Sequence, residues 1–90
     1  MNTNNKISNY LDDLKDKLIK KNDDYGDSLH NPISVFHKGG KINGILARLD
    51  DKLNRVKSVG ITDETEDTVE DLIGYLVHLK VMLNENKNNE

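Results

Sequence analysis

Three long segments of the chain carry apolar residues at helical spacing, over residues 6–21, 41–58 and 64–83. Their apolar stripes are Ile7, Leu11, Leu14 and Leu18; Ile42, Leu46, Leu49, Leu53 and Val56; and Val69, Leu72, Leu76, Leu79 and Leu83. Steps of three and four positions put such residues on one face of a helix. The pattern therefore predicts an all-α fold, a small helical bundle of three long helices, and no segment has the alternation of a strand.

The segment between the first two helices, residues 21–32, breaks this periodicity. Asn, Asp, Gly and Pro cluster there, and each favours a turn through its own backbone preference. Asn31 and Pro32 fit the N-cap and first position of one short helix through Phe36, which Gly39 would end. The sequence thus predicts a fourth, short helix.

The end of the third helix is apolar around nearly its whole circumference. Val77, Val81 and Met82 lie away from the leucine stripe of this helix. A helix that is apolar on all sides is usually buried on more than one side. Two other long helices in one subunit are too few to cover it, so we expect homo-oligomerisation, as a dimer or larger, to complete the bundle.

Composition is typical of one small domain. Of the 90 residues 34% are hydrophobic, and we expect a folded domain over residues 6–83 between disordered segments 1–5 and 84–90.

The absence of cysteine excludes disulfides and thiolate metal sites. No signal-peptide pattern and no membrane-spanning run occur, so a cytoplasmic protein without membrane contact is expected. A net charge of −3 disfavours nucleic-acid binding but permits a local phosphate site.

Four charged side chains share one face of the second predicted helix. Arg48, Asp51, Lys52 and Arg55 stand at positions i, i+3, i+4 and i+7. Their guanidinium and ammonium groups could bind phosphate oxygens, while Asp51 could orient an arginine or hold a metal. The same pattern fits an exposed face whose local ion pairs contribute about 0.3–0.5 kcal/mol each. Periodicity alone leaves both alternatives open.

A second polar stripe follows the third predicted helix. Glu64, Asp67, Asp71, Tyr75 and His78 stand at positions i, i+3, i+7, i+11 and i+14. Carboxylates one turn apart are a ligand arrangement that suits Mg²⁺, which would in turn attract a polyphosphate. Alternatively, the acids near the helix N-terminus stabilise the helix through a favourable interaction with its dipole. Asp67 and Asp71 then form ion pairs with the basic face of the second helix.

The turn sequence "NDDYG" is a third candidate. Asp23 or Asp24 could contact a ligand while Tyr25 stacks on a base. Alternatively, Asp24 closes the turn while Gly26 adopts a positive φ. The histidines His30, His37 and His78 have no metal-ligand spacing among themselves, so no metal is assigned to them.

Three blocks together resemble a known family. "KKNDDYGDS", "ILARLDDKLNRVKS" and "DETEDTVEDLIGYLVHL", within residues 20–79, resemble the phage- and bacterium-associated nucleotide modification associated domain 1 family. Its pattern is a "K-x-x-DYG" turn, an "R-[LI]-x-DK-x-x-R" helix and an "E-x-x-DT-x-x-D-[LI]-x-x-Y" helix. The resemblance implies a nucleotide site. Its candidate ligand-binding residues are Asp24, Tyr25, Arg48, Asp51, Lys52, Arg55 and Tyr75.

That family is distantly similar to MazG-like all-α nucleotide pyrophosphatases, which hold Mg²⁺ on paired carboxylates and are usually oligomeric. This resemblance implies Glu64, Asp67 and Asp71 as metal ligands. The chain departs from the pyrophosphatase pattern, because its only earlier acidic pair, Asp13 and Asp16, faces away from the apolar stripe of its helix.

Two classes of function follow as expectations. The first is a phage-type protein that binds a nucleotide or cyclic-nucleotide-like signal and sequesters it as an anti-defence sponge in the host cytoplasm. The second is a Mg²⁺-dependent nucleotide pyrophosphohydrolase. A helical adaptor that binds a protein partner is a third alternative.

Overall fold

The described part of the chain consists entirely of helices and their connections. The computed structural model describes residues 2–31, 40–62 and 66–88. Its helices are α1 (Thr3–Asp24), α2 (Gly40–Val59) and α3 (Glu66–Asn88), and no strand occurs within these residues. The all-α prediction with three long helices is confirmed, whereas the short helix expected after Asn31 falls outside the described residues.

The helices begin and end near the predicted positions. Helix α1 starts at Thr3, before the predicted Lys6, because Asn2 caps it through an Oδ1 that accepts a 2.8 Å hydrogen bond from the Asn5 amide. Helix α3 continues to Asn88, past the end of its leucine stripe. Two helices therefore include residues of the terminal segments for which the sequence predicts disorder.

Helices α2 and α3 form an antiparallel pair around the core. Lys41 near the start of α2 pairs with Glu85 near the end of α3, at 2.9 Å between Nζ and Oε2. The core consists of Ile45 and Leu49 of α2 and Met82 of α3, with partly buried side chains around them. These surrounding residues are Leu29, Ile42, Leu72, Tyr75 and Leu79. Burial of these apolar side chains is the principal force that holds the pair together.

The structure corrects the role predicted for Met82. Met82 is 0% exposed, so it belongs to the core of a single subunit and leaves no apolar surface. It stands seven residues after Tyr75 and three after Leu79, on the side of α3 that faces α2. Val77 and Val81, by contrast, are exposed as predicted.

Helix α1 contacts α3 at a position where α3 lacks a side chain. Leu14 is buried, and a Cβ atom on Gly74 would lie 2.9 Å from Leu18 Cδ2. Glycine at position 74 thus permits the close approach of the two helices. An ion pair adds to this contact, since Lys17 Nζ lies 3.4 Å from Glu70 Oε1.

Large parts of the apolar stripes are exposed in one subunit. Ile7 and Leu11 of α1 are 53% and 54% exposed. Four leucines of the α2–α3 pair, 41% to 54% exposed, form what we call the leucine face: Leu46, Leu53, Leu76 and Leu83. At about 100° per residue, Leu76 lies about 200° around α3 from Gly74, so the leucine face is opposite α1. No helix in the described segments is both long and apolar enough to cross a bilayer.

Candidate functional site

A cavity of about 420 Å³ lies where α1, the turn after it, α2 and α3 meet. Its walls combine apolar side chains with two tyrosines and several charged groups. The polar and aromatic lining residues are Lys17, Lys21, Asn22, Tyr25, Ser28, Arg48, Glu70, Asp71, Tyr75 and His78. Ligand pockets are typically about 300–1,000 Å³, so the cavity has the size of a small-molecule site.

Three of the residues predicted to bind a ligand line this cavity together. The guanidinium carbon of Arg48 lies 6.0 Å from the centre of the Tyr75 ring, at cation–π distance. Arg48 forms no ion pair with any carboxylate of the described residues. Tyr25 also lines the cavity, and 72% of its surface is exposed to solvent.

The remaining predicted ligand residues lie outside the cavity. Asp51 and Arg55 are exposed on α2 and do not line it. Lys52 does not line the cavity either, although it contacts the wall through Asp71. Of the four charged residues on this face of α2, only Arg48 lines the cavity. Asp24 also lies outside, since its Oδ2 accepts a 2.7 Å charged hydrogen bond from Lys20 Nζ on the exposed side of α1.

Two of the three carboxylates that the sequence predicts as metal ligands, Asp67 and Asp71, lie within the described residues. Asp71 lies between two ammonium groups, with Oδ2 3.1 Å from Lys52 Nζ and Oδ1 4.0 Å from Lys21 Nζ. Asp67 is exposed and forms no ion pair with a described residue, and Glu64 falls outside the described residues. Within the described segments no group of three or more potential ligands could hold a metal ion. A carboxylate neutralised by two lysines is a poor Mg²⁺ ligand, so the described donor set does not fit this ion.

Asp71 instead forms the ion pair that the structural alternative predicts. Lys52 is 21% exposed at its side chain and Asp71 is 33% exposed, so the pair is partly shielded from water. Partial shielding strengthens such a pair relative to the exposed one between Lys20 and Asp24. The pair fixes one wall of the cavity beside Arg48.

Lys17, Lys21 and Glu70 line the cavity but were not predicted as site residues. They come together only because α1 lies across α3, which no periodicity within one helix reveals. The sequence contained a weak indication of a basic site on α1, since Lys17 and Lys21 are one turn apart beside its apolar stripe.

The turn after α1 is held in place by Asp27. The Asp27 carboxylate accepts side-chain amide hydrogen bonds from Asn22, at 3.1 Å, and from Asn31, at 2.6 Å. Gly26 and Asp27 have φ values of 64° and 62°, so the positive φ expected at Gly26 is confirmed and extends to the next residue. Leu29 anchors the same turn on the core. The turn thereby presents Tyr25 at the rim of the cavity.

Two histidines connect this turn to α3. His30 Nε2 and His78 Nδ1 lie 2.9 Å apart, and the rings meet edge to face with centroids 5.1 Å apart. Burial lowers the pKa of His78, the positive charge of His30 lowers it further, and Asp27 opposes both effects. His78 lines the cavity, whereas His30 lines a second, more open depression of about 450 Å³.

Comparisons with known proteins add no assignment to these observations. No protein-family model matches the chain, and no significant match occurs among curated proteins or solved structures. The resemblance carried by the three sequence blocks therefore stays a prediction. The geometry of the cavity is the basis for a functional proposal.

Proposed function

We propose that the protein binds a nucleotide or a nucleotide-derived signal in the cavity and sequesters it without hydrolysis. One observation carries the proposal. Arg48 has no carboxylate partner among the described residues, and it lies over Tyr75 in a cavity that Tyr25 also lines. A cation that is free to bind an anion thus stands beside two aromatic rings.

This combination matches the two parts of a nucleotide. The planar guanidinium group of Arg48 can donate paired hydrogen bonds to phosphate oxygens. Tyr25 and Tyr75 offer ring surfaces for a base, and stacking of a base on an aromatic side chain contributes about 1–3 kcal/mol. The resemblance to a phage-associated family supports sequestration as an anti-defence activity in the host cytoplasm.

Hydrolysis with Mg²⁺ is the competing enzymatic function. It requires carboxylates that hold a metal and activate water. Asp71 is engaged by Lys52 and Lys21, and Asp67 lies outside the cavity, which favours binding over turnover.

A matched pair of arginine variants tests the site. Both Arg48 and Arg55 are exposed on α2, but only Arg48 lines the cavity. A charged hydrogen bond contributes about 1.5–3 kcal/mol, so Arg48→Ala is expected to weaken nucleotide binding by about 10- to 150-fold in calorimetric titrations. Arg55→Ala should bind within about twofold of the wild type and melt at the same temperature. Equal losses of nucleotide affinity in both variants would contradict the assignment of the cavity as the nucleotide site.

A second experiment separates sequestration from hydrolysis. The protein is incubated with a nucleotide panel in EDTA or in Mg²⁺, recovered and denatured, and the released molecules are identified by mass spectrometry. Sequestration predicts the same intact nucleotide in both arms. A hydrolysis product that appears only with Mg²⁺ would establish the enzyme instead.

We also propose that a second copy of the chain covers the leucine face. Four half-exposed leucines on two adjacent helices form an apolar surface that a monomer rarely leaves in water. Two such α2–α3 pairs placed face to face would form a four-helix arrangement.

A further inference from the structure

We infer that the ligand carries no more than about two negative phosphate charges, as a monoester or a cyclic diester, and is not a polyphosphate. This inference rests on the proposed function and specifies the charge of the ligand. The relevant feature is the balance of charges around the cavity, which is set by ion pairs between its own walls.

Three of the four cations in or beside the cavity are already engaged in ion pairs. Lys17 pairs with Glu70 at 3.4 Å. Lys21 and Lys52 share Asp71, at 4.0 Å and 3.1 Å. Lys17, Lys21 and Arg48 line the cavity, and Lys52 lies behind its wall against Asp71. These four side-chain cations stand against the two carboxylates Glu70 and Asp71, which leaves a local surplus of two positive charges.

A surplus of two positive charges compensates one phosphate monoester or at most two diesters. A phosphate monoester carries about −1.5 to −2 charges near neutral pH, and a diester carries one negative charge. Each further phosphate brings additional negative charge that no free cation in the described cavity compensates. The lysines could supply it only by leaving Glu70 and Asp71, which would then repel the ligand.

The positions of the two carboxylates further disfavour ligands with several phosphates. Glu70 and Asp71 are 25% and 33% exposed at their side chains, so their charges are less screened than those of fully exposed acids. Both line the cavity. A second or third phosphate that extended from Arg48 along α3 would approach these groups. Hydroxyl or amino groups of a ligand, in contrast, could donate hydrogen bonds to them.

Titration within one base series tests the inference. For each of the four common bases, the wild-type protein is titrated in EDTA with the 5′-mono-, di- and triphosphate and with the 3′,5′-cyclic monophosphate. We expect the Kd of the monophosphate or the cyclic form to be at least about tenfold lower than that of the triphosphate. A triphosphate that binds equally well or more tightly would overturn the inference and leave the proposed function intact. Absence of binding by every nucleotide would overturn both.

Two variants that each remove one negative charge test whether the cavity carboxylates cause the preference for the monophosphate. Glu70→Gln removes one negative charge from the cavity wall, and Asp67→Asn removes the same charge from an exposed position outside it. We expect Glu70→Gln to reduce the ratio of triphosphate to monophosphate Kd at least about threefold, and Asp67→Asn to leave it unchanged. The same ratio in both variants and the wild type would show that the carboxylate does not select the ligand.

Discussion

His30 Nε2 and His78 Nδ1 lie 2.9 Å apart and share one hydrogen bond between the turn after α1 and helix α3. This bond requires one ring nitrogen to donate and the other to accept. If both rings were fully protonated, two donors would face each other and the bond would be lost. The pair therefore connects the protonation of two side chains to the attachment of the turn that carries Tyr25.

Lowering the pH is expected to destabilise the fold through His78. The pKa of His78 in the folded protein is below its ordinary value of 6.5, because of burial and then the charge of His30. The unfolded chain therefore takes up a proton first as the pH falls below that ordinary value, and the free energy of unfolding decreases until the lower folded pKa is passed. Urea titrations between about pH 7.5 and 5.5 measure this decrease.

The variant His78→Gln serves as the control for this pH effect. It should lose about 0.5–1.5 kcal/mol of stability at pH 7.5, since it lacks the imidazole hydrogen bond, yet depend less on pH than the wild type. An undiminished pH slope in His78→Gln would assign the effect to other groups.

Shortening Met82 should be one of the most destabilising changes in the chain. Met82 is fully buried between α2 and α3, so Met82→Ala removes contacts and leaves a cavity, at a cost of about 2–5 kcal/mol. Val81→Ala, at the exposed neighbouring position, should change stability by about 0.5 kcal/mol or less. Chemical unfolding at one fixed protein concentration compares them. Similar midpoints for the two variants would argue against the core position of Met82.

Two glycine substitutions should differ although both lie within helices. At Gly44 an added Cβ meets nothing within 4 Å, so Gly44→Ala should raise the free energy of unfolding by about 1 kcal/mol through helix propensity. At Gly74 the added Cβ would lie 2.9 Å from Leu18 Cδ2, so Gly74→Ala must displace that side chain and gain less or lose stability. Thermal melts of both variants test this difference. An equal gain at both positions would show that α1 does not approach Gly74 closely.

The leucine face predicts an assembly of at least two subunits. Light scattering of the wild type at micromolar concentrations should give a dimer or larger species. Leu76→Glu places a charge in the leucine face and should shift the protein toward monomer. Val59→Glu, at an exposed position about 120° around α2 from Leu53, should not. A wild-type protein that stays monomeric at these concentrations would contradict the proposed assembly.

The helices were predictable from the sequence because each depends on a local repeat. The three apolar stripes correspond to the three observed helices. Gly60, with a φ of 87°, ends α2, because glycine adopts the positive φ that commonly follows the end of a helix. Met82 was misplaced because periodicity shows which residues share a face, but not which helix covers that face. Long-range packing alone decides that Met82 faces α2.

The candidate site was predictable only in part for a related reason. The sequence put Arg48 and Arg55 on one face, yet Arg55 lies about 10 Å farther along α2. Only Arg48 is therefore level with the cavity. Lys17 and Glu70 are separated by more than fifty positions in the chain, and their contact depends on how α1 crosses α3. Such tertiary contacts leave no periodic signal in a single sequence.

The attachment of α1 has a kinetic consequence. This helix is held at the cavity mainly by Leu14, Leu18 and a few solvent-accessible ion pairs, whereas α2 and α3 share the core. Segments with few buried contacts open before the rest of a protein unfolds, so amide hydrogens of α1 should exchange with solvent sooner than those of the core. A ligand enclosed beneath α1 would slow that exchange in proportion to its occupancy. For a protein that sequesters its ligand, the opening of this one helix is then a route of release that amide exchange can measure.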